Sequence, residues 1–194
     1  TSTDASRLGD FNNNGWTGIS NVTGGSYTQE YNEITPSGKA EVCVKAIASG
    51  GSHGHGVYIG NGTTTSSTYL SASFFAKKGS ISTRYFMFNI SGITGSFTFD
   101  WETGTFSDTD IGNFTRYKVI PLANGWYKFE FSGKRTGTTP YDTRIIINFR
   151  NISGFNYNPF TQVGEHIFIW GAQLEESAYP SSTIHLTEGA TTTR

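Results

Sequence analysis

Residues 166–175 constrain the fold more than any other stretch of this sequence. Four bulky apolar residues follow one another in Ile167-Phe168-Ile169-Trp170, and polar residues come only later. A strand with large apolar side chains on both faces is typical of the buried centre of a sheet. Strict alternation predicts one face with Ile167, Ile169, Gly171 and Gln173, and the opposite face with Phe168, Trp170, Ala172 and Leu174. Such a strand near the C-terminus is expected to close a β-sandwich, with the N- and C-terminal strands paired near each other.

Short strands are predicted along most of the chain. Apolar and polar residues alternate within residues 39–48, 83–90, 97–101, 126–132 and 143–150. Asn124-Gly125 is a hairpin turn signal. With 24 glycines and 15% aromatic residues, the composition favours strands joined by tight turns over helices. We therefore expect a single all-β domain over residues 1–194, with residues 177–194 as a polar C-terminal tail.

The charge and the cysteine content exclude several classes of function. A net charge of −1 gives no basic patch, so we expect no nucleic-acid partner. No apolar run approaches the roughly 18 residues of a membrane-spanning helix, and no signal peptide precedes Thr1, so no membrane insertion is expected. Cys43 is the only cysteine, so an intrachain disulfide or a thiolate metal cluster is impossible.

Recognisable catalytic motifs are missing from the sequence. Retaining β-glucanases with a jelly-roll fold need two carboxylates about 5–5.5 Å apart. A single strand supplies them when its acidic residues follow a Glu-x-Asp-x-x-Glu pattern. The nearest pairs here, Asp100/Glu102 and Asp108/Asp110, flank turns, where we expect solvated acids. His53 lies in a glycine-rich turn two residues before His55, a spacing that can hold a transition metal if a third ligand arrives. A loop that hydrogen-bonds a ligand is the interpretation we favour, and no catalytic residue is assigned.

Two predicted strands carry polar, planar side chains on one face. In the strand at 143–150, Ile145, Ile147 and Phe149 share one face, and Arg144, Asn148 and Arg150 share the other with Ile146. In the strand at 83–90, Tyr85 and Asn89 lie opposite Phe86 and Phe88. Such faces suit sugars, because aromatic rings stack on the C–H faces and polar groups bond the hydroxyls. An ordinary solvated face is the alternative. Neighbouring loops add Tyr157, Tyr141 and His53 as candidate contacts.

The motifs of the chain resemble those of a known module. Asn124-Gly125-Trp126-Tyr127-Lys128, residues 170–176 and residues 179–184 resemble a recurring module of phage tail and other virion structural proteins. That module is in turn similar to the β-jelly-roll carbohydrate-binding modules that accompany glycanases. The resemblance implies a jelly-roll β-sandwich in which Trp126 and Trp170 belong to the framework.

The resemblance also implies a structural calcium ion. In the family this ion lies between the N-terminal strand and an acid near the C-terminus. Asp10, Glu30 and Glu175 are the candidate oxygen ligands here. Asn12 stands where an acidic residue is common in the family.

Together these observations predict a non-catalytic module that binds a polysaccharide or cell-surface glycan. We expect an adhesion or receptor-binding part of a phage or prophage tail protein, or an accessory module of a glycanase, in an extracellular or virion-surface location. One alternative is a purely structural virion module that forms a homo-oligomer through its parent fibre. Another is an enzyme that cleaves polysaccharides.

Overall fold

The predicted strand at residues 166–175 is present and occupies the centre of a sheet. A computed structural model describes residues 3–4, 16–19, 26–47, 55–59, 69–80, 84–136, 145–150 and 164–180. Within them, β13 (His166–Glu175) pairs with β6 (Tyr69–Lys78) on one side. On its other side it pairs with β4 (Cys43–Ile47) and with β1 (Thr3–Asp4). The predicted pairing of N- and C-terminal strands is confirmed.

The described strands form two antiparallel sheets. The seven-stranded sheet has the order β10 (Phe114–Pro121), β11 (Trp126–Lys134), β6, β13, β4 and β3 (Ser26–Glu30), with β1 beside β13. The six-stranded sheet has the order β2 (Trp16–Ile19), β5 (His55–Ile59), β12 (Ile145–Arg150), β7 (Tyr85–Ile90), β8 (Ser96–Asp100) and β9 (Thr105–Asp110). The protein is an all-β sandwich of the jelly-roll type, as predicted. In the described residues no helix is long and apolar enough to cross a bilayer.

Aromatic side chains fill the space between the sheets. Phe74 of β6 meets Phe88 of β7 edge to face, with ring centroids 5.5 Å apart. Phe129 of β11 meets Phe86 of β7 in the same way at 5.3 Å. These rings are fully buried, and such pairs stabilise by about 0.5–1.5 kcal/mol beyond their burial. The core thereby fixes which strand positions face inward.

The turn between β10 and β11 forms at the predicted Asn-Gly pair. Asn124 and Gly125 both have positive φ angles, 59° and 76°. Successive residues with positive φ match the twist of a tight hairpin, and Asn and Gly adopt this conformation most readily. The adjoining pairs are in register, with Pro121 opposite Tyr127.

A bulge in β13 overturns the strict alternation expected for that strand. Gly171 has φ 57°, and the register with β6 shifts between Trp170 and Gln173. As a result Ala172 and Leu174 join Ile167 and Ile169 in the core, whereas Gln173 faces outward with Trp170. The predicted faces are therefore wrong from Gly171 onward, because a glycine with positive φ permits the extra residue.

A second, smaller apolar cluster lies on the outer face of the seven-stranded sheet. It consists of Cys43, Phe75, Trp126 and Trp170, with Phe168 packed against it. A short hairpin at residues 31–42 contacts this cluster. The Trp126 indole N–H donates a hydrogen bond to the Ile34 carbonyl of the hairpin at 2.8 Å. Lys77 pairs with Glu33 of the same hairpin. The framework role predicted for Trp126 and Trp170 agrees with their burial.

Burial makes Cys43 an unreactive thiol. The side chain is fully buried, and desolvation followed by the charge of Glu33 raises the pKa of Cys43 to about 12. The thiol therefore stays protonated at neutral pH, and only the thiolate is nucleophilic.

The predicted polar tail at 177–194 is described only in its first residues. The Ser177 hydroxyl lies 2.7 Å from that of Ser71 in β6, and the Arg116 guanidinium lies 6.0 Å from the Tyr179 ring centroid. Residues 181–194 lie outside the described part of the chain.

Trp126→Phe should lower the free energy of unfolding more than Trp101→Phe does. Both changes remove a similar volume, but Trp126 also loses its hydrogen bond to Ile34, which contributes about 1 kcal/mol. The Trp101 indole N–H is buried without a partner among the described residues, so its removal costs no such bond. Urea unfolding of both variants measures the difference. Equal losses would contradict a stabilising role for the hairpin contact.

Candidate functional site

The candidate site is the outer face of the six-stranded sheet, at alternate positions of three adjacent strands. The inward positions hold Phe86, Phe88, Phe97, Phe99, Ile145 and Ile147, all fully buried in the core. The remaining described side chains define what we call the polar face: Tyr85, Met87, Asn89, Thr98, Asp100 and Ile146. Asn148 and Arg150 occupy alternate backbone positions of β12. The predicted inward positions of β7 and β12 are thus confirmed for the residues whose burial the structure describes.

Strand register brings the backbones of four predicted contact residues, Tyr85, Asn89, Asn148 and Arg150, onto two neighbouring strands. In the backbone pairing, Arg150 lies opposite Tyr85, and Asn148 lies opposite Met87. Asn89 lies opposite Ile146. On the other side of β7, Asp100 of β8 pairs with Tyr85, and Thr98 pairs with Met87. The sequence could not show that β7 and β12 are neighbours, because residues 91–144 separate them along the chain.

The polar face does not resemble an ordinary solvated sheet surface. Met87, Thr98 and Asp100 are only 3%, 0% and 2% exposed, and Tyr85 and Asn89 are half-buried. Within the described residues, Asn89 Oδ1 and Thr98 Oγ1 are buried without a hydrogen-bond partner. Leaving such an atom unpaired costs about 1–3 kcal/mol. Both oxygens can accept a hydrogen bond. Neither is exposed to solvent in this conformation, so a ligand hydroxyl reaches them only when the residues that cover them move.

Asp100 is held by a forked hydrogen bond from Arg84. The Arg84 Nε lies 2.9 Å from both carboxylate oxygens, and its Nη2 lies 2.6 Å from Oδ2. The backbone N–H of Glu102 also donates to Oδ1, at 2.9 Å. The hydrogen bond from Arg84 is the largest of the effects that lower the pKa of Asp100. The same bond raises the pKa of Arg84.

This geometry corrects the prediction that Asp100 and Glu102 are solvated acids. Glu102 is solvated in part, since its side chain is 62% exposed and 3.1 Å from Arg84 Nη1. Asp100 is buried, because β7–β8 pairing places it beside Arg84. Sequence reasoning missed Arg84, Thr98 and Asp100. The alternation of Thr98 and Asp100 with Phe97 and Phe99 was the available signal.

The Arg84 guanidinium also lies against Tyr85. Its central carbon is 5.2 Å from the centroid of the Tyr85 ring, within the range of a cation–π contact. Tyr85 is the one aromatic side chain on the polar face among the described residues of β7, β8 and β12.

Four predicted contact residues cannot be placed. Arg144, Tyr141, Tyr157 and His53 lie outside the described residues, as does the candidate metal ligand Asp10.

The two described candidates for calcium ligands do not share a site. Glu30 of β3 pairs with Cys43 of β4, and β4 pairs with β13 so that Cys43 is level with Trp170. Trp170 pairs with Phe75 of β6, whereas Glu175 pairs with Ser71, four residues further along β6. The two glutamates are thus two strands and about four residues apart. With strands about 4.8 Å apart and about 3.4 Å per residue, their Cα atoms are about 16 Å apart. Calcium ligands lie about 2.3–2.6 Å from the ion. Glu30 and Glu175 therefore do not fit one calcium ion, and the described residues hold no cluster of three potential metal ligands.

The fold is similar to those of solved carbohydrate-related structures. The N-terminal CBM22-1 and GH10 modules of Clostridium thermocellum endo-1,4-beta-D-xylanase 10B, solved with xylohexaose, match with TM-score 0.50 and 15% identity. The match covers 96% of this chain and 29% of that one, so this chain spans under a third of that structure.

Two further structures score lower. The CBM22-1 xylan-binding domain of Paenibacillus barcinonensis Xyn10C matches with TM-score 0.47 and 9% identity, over 90% of this chain and 91% of that one. The enzymatically active domain of tailspike protein 4 of bacteriophage CBA120 matches with TM-score 0.43 and 15% identity, over 82% of this chain and 18% of that one. No protein-family model and no curated protein sequence matches the chain. At these identities the similarity establishes the fold alone.

Asp100→Asn should destabilise the protein at neutral pH, and the loss should diminish in acid. Arg84 lowers the pKa of Asp100 in the folded state. Ionised Asp100 therefore makes its full contribution to the free energy of unfolding at any pH above its pKa in the unfolded chain, about 3.9. As pH falls below that value, this stabilisation declines until the folded pKa is reached. Thermal unfolding midpoints of wild type and variant at pH 7, 5, 4 and 3 should therefore converge at the acid end.

Glu102→Gln is the matched control for this experiment. Glu102 contacts the same guanidinium from an exposed position, and exposed pairs contribute only about 0–1 kcal/mol. Its midpoint should follow the wild type at every pH. A midpoint difference for Asp100→Asn that stays constant from pH 7 to 3 would contradict the assigned role of the carboxylate.

Proposed function

We propose that this chain is a carbohydrate-binding module that binds a neutral polysaccharide or glycan on its polar face without cleaving it. The observation that carries the proposal is a pair of buried acceptors, Asn89 Oδ1 and Thr98 Oγ1, which have no partner among the described residues and share a face with Tyr85. A folded chain retains unsatisfied buried polar atoms at a cost in stability, and functional sites are where such costs are commonly found.

The arrangement suits the two kinds of surface that a sugar presents. The half-buried ring of Tyr85 can stack on the C–H face of a pyranose, with Met87 two residues further along the same strand as an apolar neighbour. Thr98 and Asn89 lie on adjacent strands, two residues apart in register, so their Cα atoms are about 8 Å apart. At that distance the two acceptors bond different hydroxyls, which favours an oligosaccharide over a single sugar.

The charge state of Asp100 excludes it as a general acid. Both of its oxygens accept hydrogen bonds from Arg84, and its lowered pKa keeps it ionised at neutral pH. A general acid must hold a proton to donate to the leaving group. Asp100 therefore serves as a structural anion in this proposal.

The fold similarity to the xylanase modules solved with xylohexaose supports this class of ligand. A role as an adhesion part of a phage tail protein, or as a glycanase accessory module, at an extracellular or virion surface, rests on the motifs at 124–128 and 170–176. A structural calcium ion is a further part of the proposal, with ligands other than a Glu30–Glu175 pair.

A glycan screen tests the proposal directly. Xylohexaose and a panel of polysaccharides are incubated with the protein at neutral pH, with calcium in one arm and a chelator in the other. Saturable binding with no shortening of the glycan is expected. A flat screen with folded protein would overturn the proposal and favour a structural virion module, and shortened products would favour an enzyme. Loss of binding or stability with chelator would support calcium.

Thr98→Val should weaken binding without weakening the fold. The change removes a hydroxyl that has no partner among the described residues and keeps the side-chain shape, so the free energy of unfolding should stay constant or rise by about 1 kcal/mol. Affinity should fall about three- to tenfold, which corresponds to the loss of one hydrogen bond. Calorimetric titration with the glycan found in the screen and thermal unfolding measure the two quantities.

Ser132→Ala is the matched control for Thr98→Val. Ser132 Oγ is equally buried and unpaired among the described residues, but it lies in β11 on the other sheet. It should match Thr98→Val in stability and leave affinity unchanged. A Thr98→Val variant that binds as tightly as wild type would remove Thr98 from the site.

A further inference from the structure

Arg84 connects a buried carboxylate to the aromatic ring of the polar face. One edge of its guanidinium is bound to Asp100, with nitrogen–oxygen distances of 2.6–2.9 Å. The remaining Nη1 lies 3.1 Å from Glu102. Its central carbon lies over the Tyr85 ring, 5.2 Å from the ring centroid. Three different groups therefore define the plane and position of one side chain.

We propose that Arg84 is a positioning residue that orients the Tyr85 ring for stacking on a sugar. The proposal rests on the function proposed above and deepens it. Asp100 is 3% exposed at its side chain, and it fixes an arginine whose own side chain is 41% exposed. An exposed arginine without such an anchor samples many rotamers, and fixing it at binding would cost affinity.

The anchor removes this cost before the ligand arrives. Asp100 is level with Tyr85 in the β7–β8 pairing, and Arg84 immediately precedes Tyr85 in the chain. The backbone N–H of Trp101 also donates to the Arg84 carbonyl at 2.9 Å, which ties the start of β7 to the end of β8. The guanidinium thus covers one side of the Tyr85 ring, and the ring binds its ligand in an orientation already set.

Arginine suits this role and lysine does not. The planar guanidinium binds the carboxylate in a fork, and its central carbon stays within cation–π distance of the ring at the same time. Lysine at position 84 keeps the charge next to Asp100, so Arg84→Lys is expected to fold. Arg84→Lys loses the guanidinium contact with Tyr85, which makes this conservative change the informative variant.

The first measurement uses the free protein. Tyrosine labelled with ¹³C in the ring reports side-chain order by NMR relaxation, and Tyr85→Phe assigns the Tyr85 signal. Arg84→Lys should lower the order of the Tyr85 ring while the other assigned tyrosines keep theirs. The variant Arg84→Met combined with Asp100→Asn, which leaves no uncompensated buried charge, should give the same result. Unchanged ring order in both variants would overturn the proposal, whether or not a glycan binds.

The second measurement is a double-mutant cycle on glycan affinity. Arg84→Lys alone should weaken binding about three- to tenfold, on the scale of a cation–π contact. In a Tyr85→Ala background it should have no further effect, because Arg84 acts through Tyr85. Additive losses would show that Arg84 contacts the sugar independently and would contradict positioning.

Arg116→Lys provides the matched control. Arg116 lies over Tyr179 at 6.0 Å on the seven-stranded sheet, so the change removes a similar contact away from the polar face. It should leave both Tyr85 ring order and affinity unchanged. A loss of Tyr85 order in Arg84→Lys, together with no glycan binding by wild type, would sustain the positioning role and refute only the proposed function.

Discussion

The packing of phenylalanine rings between the two sheets is the constraint on which the rest of the structure depends. Phe86, Phe88, Phe97 and Phe99 of one sheet meet Phe74, Phe129 and Phe131 of the other. Because side chains alternate along a strand, burying these rings leaves the intervening residues on the outside. The polar face is therefore a consequence of the core. A shift of one residue in β7 or β8 would place Asn89 and Asp100 among phenylalanines, at a prohibitive cost in desolvation.

Local patterns were sufficient to predict much of the fold. The alternation around Phe86 and Ile145 identified the inward positions of β7 and β12, and Asn124-Gly125 identified the hairpin turn. The bulge at Gly171 could not be predicted, because glycine adopts positive and negative φ angles about equally well and the sequence does not show which one it takes. Likewise Asp100 was expected to be solvated, since its burial depends on Arg84, a partner brought close by strand pairing. Pairs of this kind are visible only once register is known.

The polar face combines groups that are bound within the fold with groups that are unbound. Asp100 has its acceptor capacity filled by Arg84 and by the Glu102 backbone, and it contributes rigidity. Thr98 and Asn89 each have an acceptor on the same face that no described residue fills. A surface on which every polar group already has a hydrogen-bond partner would form few new bonds with a ligand. A surface on which no polar group has a partner would lack the bonds that fix its side chains in position. The division between these residues gives a site that is rigid and still able to form new hydrogen bonds.

The burial of Cys43 also bears on how the motions of this protein can be followed. The thiol is the only one in the chain, it is fully buried in the cluster beside the 31–42 hairpin, and it is protonated at neutral pH. A thiol reagent can therefore reach it only when that part of the molecule opens. The rate at which Cys43 is modified then reports the frequency of this opening, without any introduced label. A cysteine introduced on the surface would react far faster, so a dye could be attached there selectively while the native thiol stays unmodified.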